Sequence, residues 1–121
     1  MDRKHIKETR INSEVQKEIS RIIREEIKDP RLPQMTSVTS VSVTGDLKYA
    51  KIYVSMLADE THKAYGMEAL KHATSFIRSL LAKNVNLRNT PELTFVLDDS
   101  IEYGVEMSKK IEALGMKHDE D

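Results

Sequence analysis

Two hydrophobic periods divide the chain. Between Met67 and Arg88, the apolar residues Met67, Leu70, Ala73, Ile77, Leu80 and Leu81 recur at steps of three and four. That is the period of one buried helical face. At about 100° per residue, Lys71, Thr74, Ser75, Arg78 and Ala82 fall together on the opposite face, with small residues at its centre and basic ones beside them. A second helical pattern runs through Ile11, Val15, Ile19, Ile22, Ile23 and Ile27. Ser13 and Gln16 form an S-x-x-Q capping box at its start. Pro30 disfavours the helical conformation at Asp29, so this helix of about four turns is expected to stop near Lys28.

The period changes to two elsewhere. Residues 36–44 (TSVTSVSVT) are β-branched and polar and suit a strand. Val38 is out of phase with Val41 and Val43, which predicts a bulge. Gly45-Asp46 marks a turn, and Tyr49–Leu57 alternates cleanly: Ala50, Ile52, Val54 and Met56 point one way, Tyr49, Lys51, Tyr53 and Ser55 the other. Two strands joined by so short a turn form an antiparallel hairpin. Asp59 to Tyr65 reads as a connecting loop, and Asn89-Thr90-Pro91 ends the central helical stretch. Leu93, Phe95 and Leu97 mark a third strand. Asp98-Asp99-Ser100 offers caps for a last helix through Ile101, Val105, Ile111 and Leu114, with Gly115 as its stop. Residues 1–10 and the acidic tail KHDED are expected to be flexible, leaving an ordered core of about residues 11–115.

Helix, strand, strand, one helix or two, strand and helix make an α+β domain, a three-stranded sheet with helices on one face. The helical crossover allows the second and third strands to lie parallel. At 121 residues, with 39% hydrophobic and 32% charged residues, the chain reads as one soluble domain spanning 1–121. The absence of cysteine excludes a disulfide framework, a thiol nucleophile and a cysteine-ligated metal, and fits a reducing cytoplasm. MDRKHIKETR is too charged for a signal peptide, and no apolar run approaches the roughly 20 residues of a membrane span.

Charge sharpens the reading of the central helix. From Thr61 to Pro91 five Lys/Arg (Lys63, Lys71, Arg78, Lys83, Arg88) face one acid, Glu68, giving +4; from Glu92 onward three face nine acids, giving −6. A protein of net charge −1 has thus sorted its charge along the chain, which points to one basic face. The alternative is that Lys71 and Arg78 merely solvate a helix.

Catalytic chemistry is hard to find. The histidines His5, His62, His72 and His118 show no metal-ligand spacing. Asp98, Asp99 and Glu102 form the one compact acidic cluster, and Asp99 with Glu102 is better explained as a helix cap. The glycines, at 45, 66, 104 and 115, write neither GxGxxG, nor a P-loop, nor the GXXG of KH domains. A protein-interaction module using the Tyr49/Tyr53 face or the last helix is an alternative, as is a carboxylate enzyme with Asp98 and Asp99 in a cleft.

Longer stretches resemble the bacterial ribosome-binding factor A family. They are Lys28-Asp29-Pro30-Arg31, Asp46-Leu47, Tyr49-Ala50-Lys51, Tyr53-Val54-Ser55, Phe76-Ile77-Arg78-Ser79-Leu80-Leu81, Leu87-Arg88, Pro91-Glu92-Leu93, Phe95, Asp98 and Ser100-Ile101. The resemblance implies a KH-like fold of the second type (αββααβ) with a further C-terminal helix. It also implies a helix–kink–helix at an Ala-x-Gly triplet, matched here by Ala73-Thr74-Ser75 with serine in the glycine place. It implies a non-enzymatic cytoplasmic assembly factor, without cofactor or metal and most simply a monomer. Such a factor binds the free, immature small (30S) subunit and its precursor rRNA and assists late maturation and 16S rRNA processing, including in the cold, with assembly GTPases as candidate partners. Lys71, Arg78, Lys83, Arg88 and Arg31 are then expected to meet phosphates, and Thr74 and Ser75 to allow close backbone approach. With two phenylalanines and four tyrosines, recognition by RNA shape is expected to outweigh base stacking.

Overall fold

The structure, a computed structural model, describes residues 3–99, with side chains from Thr9 onward. Its elements are α1 (Arg3–Glu25), β1 (Thr36–Val43), β2 (Tyr49–Met56), α2 (Glu60–Asn84) and β3 (Glu92–Leu97). The sheet order is β1-β2-β3. β1 pairs antiparallel with β2, and β3 lies parallel to β2 across the α2 crossover, as the helical connection allows. The predicted bulge falls between Val38 and Ser40.

Period-two alternation places the core. Ala50, Ile52, Val54 and Met56 of the central strand are buried, while Tyr49 and Lys51 are exposed. Val15, Ile19, Ile22 and Ile23 of α1 and Leu70, Ile77 and Leu81 of α2 close over that same face. Each fully buried aliphatic side chain contributes about 1.5–3 kcal/mol of transfer free energy. The sheet therefore has its helices on one side.

Both helices start earlier than their apolar periods indicate. α1 is helical from Arg3, so the predicted cap at Ser13 is corrected; Gln16 lies well inside the helix. Its amide donates to the Val38 and Thr39 carbonyls, each at 3.4 Å, where the bulge turns the backbone. Asn12 Oδ1 accepts the Val43 amide at 3.0 Å. These two side chains cover backbone groups of β1 that would otherwise form an open sheet edge. α1 ends at Glu25, and the Ile27 amide still reaches the Ile22 carbonyl at 3.2 Å.

α2 begins at Glu60, where the sequence reads as loop. Asp59 caps it, accepting the His62 amide at 2.8 Å. The early turns are hard to recognise because their buried positions are Lys63 and Gly66. Gly66 is where the helix comes closest to its neighbours: a Cβ there would stand 2.7 Å from Met56 Sδ and 2.8 Å from Pro33 Cδ. α2 continues as one element through Ala73-Thr74-Ser75, so the triplet does not divide it into two separate helices. Serine in the glycine place keeps most of the helix propensity. Leu70 and Ile77 anchor both sides of the triplet in the core, while the Thr74 hydroxyl donates to the Leu70 carbonyl at 2.9 Å, a back-bond that favours a slight bend.

The β1–β2 turn uses a left-handed residue, but it is Leu47 (φ 60°) rather than Gly45. Asp46 Oδ1 accepts the Lys48 amide and the Thr44 hydroxyl, which closes the turn, and Leu47 is buried beneath it. Burial of that side chain offsets a backbone cost of about 1–2 kcal/mol. The last helix and the Asp99–Glu102 cap predicted above lie outside the described residues.

Candidate nucleic-acid interface

The outward half of α2 carries most of the predicted site. Lys71, Ser75, Arg78 and Ala82 are exposed on one flank, the side that faces β3. Thr74 is half-buried, its hydroxyl turned back on the helix. Arg78 has two roles. Its Nε donates to the Pro91 carbonyl at 3.0 Å and an Nη to the Thr90 carbonyl at 2.7 Å, which ties the segment before β3 to the helix. Neutral carbonyls are its partners, so the guanidinium keeps its full charge at the surface. Beside it lies a recess lined by Ser75, Arg78, Ser79, Ala82, Asn89 and Thr90.

The other predicted cations are spread around this strip. Lys83 is exposed but five residues beyond Arg78, roughly 140° around the helix, on the flank that faces α1. Arg88 borders a separate hollow with Arg10, Ile11, Asn12, Leu47 and Leu87, between α1 and the hairpin turn. The Asn89 amide donates to the Leu47 carbonyl at 2.8 Å and links the two regions. Arg31 is paired with Asp29 at 2.7 Å. Its guanidinium, with the Arg31 backbone amide, holds the Asp29 carboxyl well below the usual range, at about 2. Arg31 is therefore the least available of the predicted phosphate ligands.

One cation of the +4 segment is not on this face at all. Lys63 is 2% exposed, and its ammonium lies 3.6 Å from Glu60 and 3.4 Å from Asp99. Asp99 is thereby engaged, and Asp98 Oδ2 accepts the Thr39 hydroxyl at 2.7 Å while its amide extends the β2–β3 ladder to Val54. The Asp98 carboxylate thus ties β1 to the end of β3 and that of Asp99 ties the same segment to α2, the arrangement expected of structural groups. Among the described residues no three His, Asp or Glu side chains converge as metal ligands, and no helix is long and apolar enough to cross a membrane.

Two residues of this surface went unread in the sequence. Phe76 and Tyr65 are about half exposed on the α1-side flank of α2. The signal was present, since both stand off the apolar period that buries Leu70, Ile77 and Leu81.

A three-stranded sheet covered on one face by two helices, the second bearing unpaired surface cations, defines a small α+β protein with a basic helical face. The family described as Ribosome-binding factor A matches residues 7–111. A relative from Agathobacter rectalis, named Ribosome-binding factor A, is 55% identical over 121 residues, covering all of both chains. A Thermotoga maritima protein solved by solution NMR is 32% identical with a TM-score of 0.69, over 79% of this chain and 91% of that one. A homology model of Thermus thermophilus ribosome binding factor A, fitted into the cryo-EM map of a 30S complex, shares the fold. It is 23% identical with a TM-score of 0.60, over 73% of this chain and 91% of that one. The chain belongs to the ribosome-binding factor A family.

Proposed function

We propose that this protein binds the immature small ribosomal subunit through rRNA and assists its late maturation and 16S rRNA processing, including at low temperature. Its fold is read as a KH-like domain of the second type whose two central helices are joined into α2. It acts in the cytoplasm as a monomer, by binding rather than by covalent chemistry and without a cofactor, and assembly GTPases are its candidate partners. Full-length identity of 55% to a ribosome-binding factor A carries this reading. The Thermus thermophilus protein fitted into a 30S complex supports the choice of subunit.

The physical support lies in α2. Lys71, Arg78 and Lys83 stand on its outward half without a carboxylate partner among the described residues, and Ser75, Ser79 and Ala82 keep the surface between them low. Phosphate contacts of this kind give affinity that falls with salt, with a log–log slope of roughly −0.7 per phosphate for single strands. The test is sedimentation of the protein with 30S precursors and with mature 30S subunits across a salt series. Preferential, salt-sensitive association with precursors is expected. Equal or absent association with both particles would contradict the reading.

A further inference from the structure

We infer that the α1-side flank of α2 is a base-stacking surface, so that the RNA laid along this helix is an unpaired strand rather than a duplex. The inference rests on the reading of α2 as the RNA-binding face and adds the form of RNA it takes.

Exposed aromatic rings are the starting point. Phe76 is 48% and Tyr65 52% exposed, although the adjacent core positions Ile77, Leu70 and Leu81 are fully buried. Neither ring belongs to the seam that holds α2 on the sheet. Eleven residues separate them, so they lie within roughly 20° of one another around the helix and about 16 Å apart along it. His72, also exposed, sits between them, and Lys83 continues the same line two turns beyond Phe76.

The opposite flank supplies charge. Lys71 and Arg78 lie roughly 140–160° around the helix from Phe76. The surface between is made of Ser75, Ser79 and Ala82, all exposed and all small. It deepens into the recess of about 440 Å³ shared with Asn89 and Thr90. Glu68 closes the track at its N-terminal end, and the Asp29 carboxylate, paired with Arg31, stands near His72. Across the helix the order is therefore cations, a low floor with hydroxyl groups, then rings.

That order suits one ligand. A sugar–phosphate chain can follow Lys71, Ser75 and Arg78 while its bases turn toward His72 and Phe76. Sequence-tolerant single-strand binding combines these two parts, a basic track and aromatic platforms. A duplex presents phosphates and grooves, and its bases are already stacked, so it has no use for the rings. Recognition by shape alone, expected from the small number of aromatics, thus gives way to stacking on two of them.

The test uses the whole chain and two probes of about ten nucleotides, a single-stranded RNA and a blunt duplex. Phe76→Ala should weaken single-strand binding about tenfold and leave duplex binding unchanged, whereas Lys71→Ala should weaken both. Phe76→Trp should keep the single-strand affinity. Because the chain has no other tryptophan, its indole fluorescence should be quenched by the single strand and not by the duplex. Unchanged single-strand affinity in Phe76→Ala, or an indole unquenched at saturation, would overturn the inference. So would a wild-type protein that sediments with 30S precursors yet binds neither probe; that result leaves the proposed function standing, whereas failure to sediment removes it. Loss of precursor binding in Phe76→Ala with oligonucleotide binding intact would assign the ring to a protein contact and also overturn the inference.

Discussion

The outward faces of α1 and α2 carry similar residue types and differ in how their charges are spent. On α1, Arg21 binds Glu18 at 2.6 Å and Glu25 at 3.0 Å, Arg10 reaches Glu14 at 3.4 Å, and Arg24 lies 3.8 Å from Glu25. These pairs hold the Glu18 carboxyl below its ordinary range and raise the Arg21 guanidinium above its own. On α2, Lys71, Arg78 and Lys83 have no carboxylate partner among the described residues, and the exposed residues between them are small or aromatic. Exposed pairs add little stability and cancel each other's field. Among the described cations, α1 leaves only Lys17 without a carboxylate partner and α2 leaves three, so a polyanion is attracted more strongly to α2. Counting Lys and Arg in a segment therefore says less than asking what each one faces.

Reversing charge on each helix in turn should break this comparison open. Lys71→Glu with Lys83→Glu should lower affinity for 30S precursors on the order of a hundredfold and flatten the salt dependence by about two phosphate contacts. Arg21→Glu with Arg24→Glu should change affinity by less than about twofold, although it disrupts the α1 ion pairs and costs some stability. Both are read by sedimentation at fixed salt. Equal losses from the two double variants would erase the distinction between the helices.

Packing beneath α2 gives the next largest effect. Gly66→Ala adds helix propensity of roughly 1 kcal/mol, yet its methyl group meets Met56 and Pro33 at distances that force movement. A net destabilisation of about 1–3 kcal/mol is expected in urea denaturation. Since Gly66 faces the core, precursor affinity of the folded protein should not change. Stabilisation would show that the Met56 side chain yields freely.

Lys63 separates charge that is counted from charge that is displayed. Lys63→Met keeps the stem and removes the ammonium, and its partners among the described residues, the carboxylates of Glu60 (89% exposed) and Asp99 (58% exposed), remain solvated. Stability within about 1 kcal/mol of wild type is expected, with precursor affinity unaltered. A loss of affinity comparable to that of Lys71→Ala would return Lys63 to the basic face.

The smallest effect belongs to the loop after α1. Asp29 has its pKa depressed to about 2 in the folded chain by Arg31, below an unfolded value of about 3.9. Its contribution is therefore fully present above about pH 4 and is lost as pH falls toward 2. A carboxyl titration followed by NMR should give an Asp29 midpoint well below that of an exposed aspartate. The Asp29→Asn variant should lack that stability at all pH values above about 4, and its deficit should vanish as pH falls toward 2. A midpoint near the ordinary value would mean that Arg31 is free for phosphate after all.

Much of the fold was legible in the sequence because one-sided burial writes its period directly. Ala50, Ile52, Val54 and Met56 marked the inner face of β2, and the phase slip at Val38 marked the bulge. The starts of both helices were hidden by residues whose type misleads. The segment Asp59 to Tyr65, with Lys63 buried in it, read as a loop, and Ser13 with Gln16 read as a capping box although α1 runs through it. The unbroken α2 was written in its apolar period, which passes through Ala73–Ile77 without a gap; the expected kink came from the resemblance. At the site, Lys71, Ser75 and Arg78 were placed on one face by the same period. What the period could not show was pairing: the Arg31–Asp29 bridge, the second duty of Arg78 on the Thr90 and Pro91 carbonyls, and the sequestered Lys63. These depend on contacts between distant parts of the chain. Phe76 was named only as part of the resemblance, and its place off the apolar period was not followed to an exposed ring.

The central claim is that the outward half of α2, and not that of α1, lies against rRNA. Placing a photo-crosslinking side chain at Ala82 on α2 and, separately, at Lys17 on α1 tests it directly, because both positions are exposed. After irradiation with purified 30S precursors, rRNA crosslinks are predicted from position 82 and not from position 17. Crosslinks from position 17 with none from position 82 would contradict the account.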